Sequence, residues 1–394
     1  MLSMKNLELY VHIPFCVKKC AYCDFLSGAY DADIRRQYTE ALIKEIEYYG
    51  NQYKLEKGMY AEETVISTVY IGGGTPSWLE TDLMEEILKQ IYISFEIMPD
   101  AEFTIEVNPG TVTAEALNIY RSYHINRISI GLQSANNDEL KLLGRIHDYN
   151  RFLHTYELVR NAGFTNVSVD VMTGLPGQTL EKLQRTLECV VRLKPEHISA
   201  YSLIIEEGTP FYELYKFDAV KQHAGMETEF LPSEDGEYAL SKFAERYLDE
   251  HGYRRYEVSN YARPGFEGKH NSGYWKREQY LGLGLGASSQ IGTFRYKNET
   301  DMYKYIENPT NRIEEIELSK SDAMSEFMYL GLRMTEGVKR DDFEKTFSCS
   351  IEAIFGDALN KLEEEGMLVR RAGVIYLTEL GMDLSNYVFS NFIL

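Results

Sequence analysis

Six apolar, β-branched runs alternate with amphipathic helical stretches in the first half of the chain, and this alternation constrains the fold most. The predicted strands cover residues 7–13, 65–71, 102–107, 127–132, 166–172 and 197–204. The predicted helices between them cover residues 33–49, 79–93, 114–123, 151–162 and 179–193. Six strand–helix units in series predict a parallel sheet with right-handed crossovers. They are too few for the usual closed eight-stranded barrel, so an open partial barrel and a doubly wound sheet both fit.

The pattern changes after about residue 205. We expect a helix over 240–251, strand-like segments over 256–261 and 281–291, and a polar connection over 297–315. The sequence therefore predicts a core over 1–230 that is extended over 231–315.

The last part of the chain, 316–394, is predicted to be a smaller domain. It is mostly helical and has a hairpin over 368–376 that turns at Ala372-Gly373. Helices followed by a hairpin predict a winged-helix-like module. Residues 320–394 hold thirteen acidic and eight basic side chains, which favours a scaffold or lid over a DNA-binding role.

Charge and hydropathy limit the partners. The net charge of −20 disfavours nucleic acid or an anionic membrane as the main partner, because phosphate binding needs a basic surface. No run approaches the ~18 apolar residues of a membrane helix, and residues 1–7 lack the apolar segment of a secretory signal. We expect a cytoplasmic protein that binds no nucleic acid.

Three of the five cysteines cluster directly after the first predicted strand. The cysteines are Cys16, Cys20, Cys23, Cys189 and Cys349. The C-x3-C-x2-C spacing predicts a metal site, since three thiolates can each bind one iron of a cubane cluster and leave the fourth iron open. Zinc needs a fourth ligand, for which His12 is a candidate, and plain structural cysteines are a further alternative. The two distant cysteines lie in helical contexts and are expected to be buried thiols.

A glycine run, Gly72-Gly73-Gly74-Thr75-Pro76, follows the second predicted strand. Glycines let a backbone approach a ligand closely, although a glycine run alone is usually a tight turn. Together with the cysteine spacing, the run resembles the signature of the radical S-adenosylmethionine (SAM) superfamily. That resemblance implies a partial (β/α)6 barrel, a [4Fe–4S] cluster on the three cysteines, and SAM bound to the open iron.

The resemblance covers nearly the whole chain and extends to the coproporphyrinogen dehydrogenase branch of that superfamily. The SAM-binding residues that it implies are Tyr10, Tyr22, Gly73, Gly74, Thr75, Glu106, Gln133, Arg145 and Asp170. A carboxylate suits ribose hydroxyls, and a guanidinium suits the methionine carboxylate. Taken singly, a polar residue at such a position is more often a cap or turn residue.

Two departures separate this chain from the dehydrogenases. Phe25 stands where they carry a fourth cysteine, and Cys16 comes too early for their long N-terminal arm. Both departures resemble the HemW subfamily of heme chaperones, as does the H-N-x-x-Y-W segment that starts at His270. The subfamily implies heme binding, with His270 as an axial ligand and Tyr274 and Trp275 stacked on the porphyrin. The alternative is that His270 caps a turn and the two aromatic rings pack in a core.

The resemblance implies a heme chaperone that passes heme to an acceptor protein, with reduced flavodoxin or ferredoxin as the electron donor. Membrane association is expected only peripherally, through an acceptor. The rival reading is an enzyme, an oxygen-independent coproporphyrinogen III dehydrogenase of porphyrin biosynthesis. Radical opening of the heme ring and a zinc-stabilised α/β protein without SAM are weaker alternatives.

Overall fold

The computed structural model describes residues 4–60 and 63–394. Residues 1–3, on which the expectation about a secretory signal partly rests, lie outside the described residues. The strands up to residue 317 are β1 (Met4–Ile13), β2 (Glu63–Gly73), β3 (Ile97–Val107), β4 (Arg127–Gln133), β5 (Val167–Thr173), β6 (His197–Ser202), β7 (Arg254–Arg255), β8 (Asn260–Ala262), β9 (Tyr280–Leu283), β10 (Ser288–Ile291), β11 (Phe294–Asn298) and β12 (Arg312–Glu317). The helices in the same part are α1 (Ala32–Tyr60), α2 (Thr81–Ser94), α3 (Ala114–Ser122), α4 (Asn137–Leu142), α5 (Tyr149–Asn161), α6 (Leu180–Leu193), α7 (Pro210–His223), α8 (Glu234–Glu250), α9 (Lys269–Trp275) and α10 (Met302–Glu307).

All of these strands belong to one mixed sheet in the order β12-β11-β10-β9-β1-β2-β3-β4-β5-β6-β8-β7. Strands β1 to β6 pair in parallel with their sequence neighbours, as the alternation of strands and helices predicts. Strand β9 adds in parallel on the other side of β1. The remaining pairs, which involve β7, β8 and β10 to β12, are antiparallel.

The two faces of the sheet differ in chemistry. On β1, Leu9 and Val11 are fully buried in a large apolar cluster with side chains from α1, α2, α3, α5, α6 and α8. Glu8, Tyr10 and His12 alternate with them and therefore point to the opposite, inner face. These six helices lie on one face and the inner face is polar, with the short α9 entering it, which is the arrangement of a partial barrel. A doubly wound sheet would have its crossover helices on both faces.

Several segments differ from the sequence predictions. The stretch 297–315, expected as a connection, contains the end of β11, helix α10 and most of β12. All six residues of β12 are exposed at the edge of the sheet, which explains why a strand there is charged. Helices α4, α7 and α9 were not predicted.

The C-terminal part forms a second apolar core of its own. Its elements are α11 (Lys320–Gly331), β13 (Val338–Lys339), α12 (Arg340–Phe347), α13 (Ile351–Glu364), β14 (Leu368–Arg371), β15 (Val374–Leu377), α14 (Glu379–Asp383) and α15 (Ser385–Ser390). The predicted hairpin is confirmed as β14 and β15, joined by Ala372 and Gly373, both at positive φ. Strand β13 pairs with β15 and completes a three-stranded antiparallel sheet.

None of the helices in the described residues has the length and apolar character that crossing a membrane requires.

Candidate functional site

The three clustered cysteines lie on a loop that leaves the carboxyl end of β1. The loop is closed at its base, where Cys16 N donates to Gly28 O at 2.9 Å. A tight turn follows, in which Cys23 N donates to Cys20 O at 3.3 Å. All three thiols are free and half-buried. Burial raises the pKa of Cys23, and the neighbouring Cys20 and Cys16 add to the effect.

Side chains from three other segments of the chain hold this loop. Thr75 Oγ1 donates to Cys16 Sγ and Arg145 Nη1 donates to Cys20 Sγ, both at 3.6 Å. Asn108 joins the two donors, because its Nδ2 donates to Thr75 Oγ1 at 2.6 Å and its Oδ1 accepts from Arg145 Nη2 at 2.5 Å. The carboxyl ends of β2 and β3 and the segment after α4 therefore meet at the cysteines. Asn108 is absent from the predicted site, and the signal that could have revealed it is its place directly after the third strand.

The glycine run allows the backbone after β2 to approach the cysteine loop closely. Thr75 N donates to Phe15 O at 2.7 Å. A Cβ on Gly74 would lie 2.8 Å from that same oxygen and 3.1 Å from Cys16 Sγ. Gly73 has a φ of +116°, and a Cβ there would lie 2.6 Å from the His12 ring. Glycine is therefore required at both positions, by close approach at Gly74 and additionally by backbone conformation at Gly73.

The predicted carboxylate Glu106 reaches the glycine run from β3. Its Oε2 accepts from Gly73 N at 3.1 Å, and its Oε1 accepts from Tyr70 Oη at 2.8 Å. Burial raises the pKa of Glu106 to about 7 against the opposing effect of these donors. The carboxyl group can therefore hold or release a proton near neutral pH.

Gln133 and Asp170 lie on the same inner face, on β4 and β5. Tyr201 Oη donates to Gln133 Oε1 at 2.9 Å, and Ser129 Oγ donates to Asp170 Oδ1 at 3.2 Å. Burial raises the pKa of Asp170. Arg145 lies beside this pair, since its Nη2 also donates to Gly131 O at 2.8 Å.

The two predicted tyrosines flank the cysteine loop. Burial raises the pKa of Tyr22, which lies beside Arg145, Cys20 and Cys23. Burial likewise raises the pKa of Tyr10, whose hydroxyl lies 2.9 Å from His12 Nδ1. The structure thus brings the predicted residues on β1 to β5 and their following loops to one end of the inner face.

One buried donor at this end has no partner in the described structure. Arg145 is held by its two terminal nitrogens, but its buried Nε makes no hydrogen bond. A buried guanidinium nitrogen without an acceptor is costly unless a ligand supplies one. The free thiols, the close glycine backbone and this donor fit a cluster with an anionic ligand beside it.

The zinc alternative fits less well. Among the described residues, no set of three His, Cys, Asp or Glu side chains is placed to hold a single metal ion. Both ring nitrogens of His12 already have partners, Tyr10 Oη and Leu26 O. A cubane does not need its thiolates to meet at one atom, because each thiolate binds a different iron.

His270 lies elsewhere, nearer the amino ends of the strands. It belongs to α9, which enters the inner face, and its side chain is 1 % exposed. Its Nδ1 lies 2.7 Å from Thr68 Oγ1 and its Nε2 2.9 Å from Tyr274 Oη. Burial and the nearby Arg127 lower the pKa of His270 to about 3, so the ring is neutral. Heme ligation by His270 stays a prediction, which requires that the hydrogen bond of the ligating nitrogen be replaced by the iron.

The other predicted heme contacts also have partners in the fold. Arg333 lies over the Trp275 ring at 4.3 Å, so this indole packs against the C-terminal part. Tyr274 packs edge-on against Tyr280 at 4.7 Å. Cys189 and Cys349, expected as buried thiols, are half-buried.

Comparisons with known proteins agree with this architecture. Residues 10–190 match the model of the radical SAM superfamily, and residues 318–384 match that of the HemN C-terminal domain. The solved structure of coproporphyrinogen III oxidase (HemN) from Escherichia coli, a radical SAM enzyme, superimposes with a TM-score of 0.80 at 24% identity. The superposition covers 99% of this chain and 90% of the oxidase chain. The two proteins therefore share the same fold.

Relatives of similar length are heme chaperones. The heme chaperone HemW of Lactococcus lactis is 38% identical over 100% of this chain and 99% of its own length. HemW of Bacillus subtilis is 33% identical over 98% of both chains. HemW of Escherichia coli is 31% identical over the whole of both chains.

Proposed function

Because this chain belongs to the HemW family within the radical SAM superfamily, we propose that it is a heme chaperone that binds heme and transfers it to an acceptor protein. The observation that carries the proposal is similarity over the full length to several proteins named as heme chaperones. Phe25 also supports it, since this residue stands where the dehydrogenase branch has a further cysteine. The acceptor is a protein of unknown identity, and we propose that the chaperone works in the cytoplasm.

We propose that the site at the carboxyl ends of the strands holds a [4Fe–4S] cluster and SAM. Cys16, Cys20 and Cys23 bind the cluster. The residues that bind SAM are Tyr10, Tyr22, Gly73, Gly74, Thr75, Glu106, Gln133, Arg145 and Asp170. When bound and reduced, for instance by flavodoxin or ferredoxin, the cluster supplies an electron that can cleave SAM.

The protein residues have separate tasks in this proposal. Arg145 places positive charge beside Cys20 and offers its free Nε to the SAM carboxylate. Glu106, with a pKa of about 7, accepts from hydroxyl groups when ionised and donates one hydrogen bond when protonated. Gly73 and Gly74 let the backbone after β2 pack directly against His12 and the cysteine loop, which places the backbone of the glycine run beside the cluster site.

We assign roles to the three parts of the chain with the domain boundaries that the sequence predicts. We assign cluster and SAM binding to residues 1–230, the extension of the sheet to 231–315, and a scaffold or lid role to 316–394. Because the C-terminal part has its own apolar core, its role can be tested by substitutions that leave the cysteine site unchanged.

Hemin titration of the anaerobically reconstituted protein tests the proposal. We expect a saturable, one-to-one change in Soret absorbance, followed by transfer to an apo-heme protein. A protein that binds no hemin but decarboxylates coproporphyrinogen III in the presence of SAM and reductant would be the dehydrogenase instead.

A further inference from the structure

Helix α7 carries an unusual apolar surface. Its buried side packs through Phe211 and Tyr215. Its other side exposes Leu214 (66%), Phe217 (76%) and Val220 (68%) to solvent. A surface helix normally presents polar residues on that side, and contiguous exposed apolar residues commonly mark a binding surface.

A groove runs along this helix. It has a volume of ≈ 470 Å³ and lies between α7 and the segment that follows β6. The residues that line it are Ile205, Tyr212, Lys216, Phe217, Ala219, Val220 and His223. The lining is mostly apolar, with one cation and one imidazole, and its volume is within the range of sites that bind small ligands and cofactors.

The imidazole is oriented for a metal. His223 Nδ1 lies 2.7 Å from Ala219 O, one turn earlier in α7. A carbonyl oxygen only accepts, so Nδ1 carries the hydrogen and the neutral ring has its lone pair on Nε2. Histidines that bind metals are commonly held in this way, with the second nitrogen donating to a carbonyl. His223 is exposed, so unlike the buried His270 it is accessible to an iron without any rearrangement.

The helix that bears the groove starts at the cysteine site. Helix α7 begins where Phe211 N donates to Ala21 O of the cysteine loop at 2.9 Å. The Phe211 ring lies 6.4 Å from that of Tyr22. The helix that bears the groove is thus anchored on the proposed cluster loop.

We infer that the α7 groove binds one face of heme, with His223 Nε2 as the axial ligand to the iron. This inference rests on the proposed function and names the surface that carries it out. The apolar walls suit the macrocycle, and Lys216 suits a propionate in a chain that is otherwise strongly acidic. The ion pair of Lys216 with Glu213 is at the surface, where such pairs contribute little and exchange readily. An apolar partner protein would use the groove walls but not the lone pair of His223.

Hemin titration of the full chain and of single variants tests this inference. In His223→Ala we expect the hemin dissociation constant to rise by about tenfold or more, since even groups that only orient metal ligands have effects of that size. The Soret band should shift as the axial ligand is lost, and added imidazole should restore it. The matched control is His251→Ala, because His251 Nδ1 makes the same 2.7 Å contact one turn back at the end of α8, away from the groove.

The outcomes separate the two claims. If the wild-type protein binds hemin and both His223→Ala and Phe217→Asp bind it equally well with an unchanged Soret band, the groove inference is wrong and the chaperone proposal stands. If Phe217→Asp weakens binding while His223→Ala does not, heme contacts the groove but the assignment of His223 as its ligand is wrong. If the wild-type protein binds no hemin, both claims fail. If His270→Ala alone weakens hemin binding, His270 is the axial ligand, as the sequence predicts.

Discussion

The inner face of the sheet carries polar side chains at both ends of its strands, but the two ends differ in the kind of group that is left free. Around α9, both ring nitrogens of His270 are bonded and the Glu102 carboxylate accepts from two backbone N–H groups, while the buried Glu8 Oε2, Arg127 Nε and Trp275 Nε1 have no hydrogen-bond partner among the described residues. At the cysteine end, three thiols are free beside the buried Arg145 Nε, which has no acceptor either. A buried polar atom without a partner therefore does not identify a site by itself; the three neighbouring thiols distinguish the cysteine end.

The largest effect should come from removing a thiol at the cysteine end. Cys20→Ser is expected to abolish the brown absorbance after anaerobic reconstitution, because a cubane held by three thiolates loses one ligand. Iron and sulfide analysis measures this, and Cys349→Ser in the C-terminal part is the control. Full iron and sulfide in Cys20→Ser would remove the cluster from the proposal.

At the other end, a substitution should affect stability and leave the cluster intact. Glu102→Ala removes the acceptor of Lys269 N (3.0 Å) and His270 N (3.1 Å) at the start of α9. Leaving the buried His270 N and the half-buried Lys269 N without an acceptor should lower the free energy of unfolding by about 3 kcal/mol. Denaturant unfolding measures the loss, with Glu115→Ala on the surface of α3 as the control. Loss of reconstituted iron in Glu102→Ala would show that the two ends are not independent.

Glu8, near α9, makes the stability of the protein depend on pH. Burial raises the pKa of Glu8 from 4.5 to about 9, so the folded chain keeps a proton that the unfolded chain loses. Its contribution to stability is complete below pH 4.5 and is lost as the pH rises towards 9. Between about pH 6 and pH 8, the free energy of unfolding should therefore fall by roughly 2 kcal/mol more in wild type than in Glu8→Gln. Parallel slopes in the two proteins would contradict a protonated Glu8, and Glu40→Gln on the surface of α1 serves as the control.

The smallest effect is expected at Phe25, beside the cysteines. Its side chain is 69% exposed, so Phe25→Ala should change the free energy of unfolding by less than about 0.5 kcal/mol and leave the iron content unchanged. Thermal unfolding and iron analysis measure both quantities. A loss of iron would show that Phe25 shields the cluster, which would make it a functional replacement for the missing cysteine.

The sequence predicted the parts of the molecule that local pattern determines. The first six strands alternate with amphipathic helices, and the cysteine spacing is contained within eight residues. Helix α7 was missed because Phe211 and Phe217 lie on opposite sides, so its apolar residues have no helical periodicity. The position of α9 could not be predicted, since the partner of His270 is Thr68, 202 residues away in the chain. Asn108 is absent from the predicted site, because its role depends on contacts with Arg145 and Thr75 that lie 37 and 33 residues away in the chain.

The pairing of β9 with β1 has a consequence for how the protein is made. Strand β1, which carries the cysteine loop, gains β2 as a neighbour early in synthesis. Its other neighbour, β9, begins only at Tyr280 and is therefore made much later. At about 5–20 residues per second, a ribosome needs tens of seconds to reach that segment. During this time one edge of β1 has no strand partner from its own chain, and such an edge can pair with other chains. The nascent protein is therefore most prone to aggregation before its ninth strand emerges, and the framework around the cysteines is completed late in synthesis.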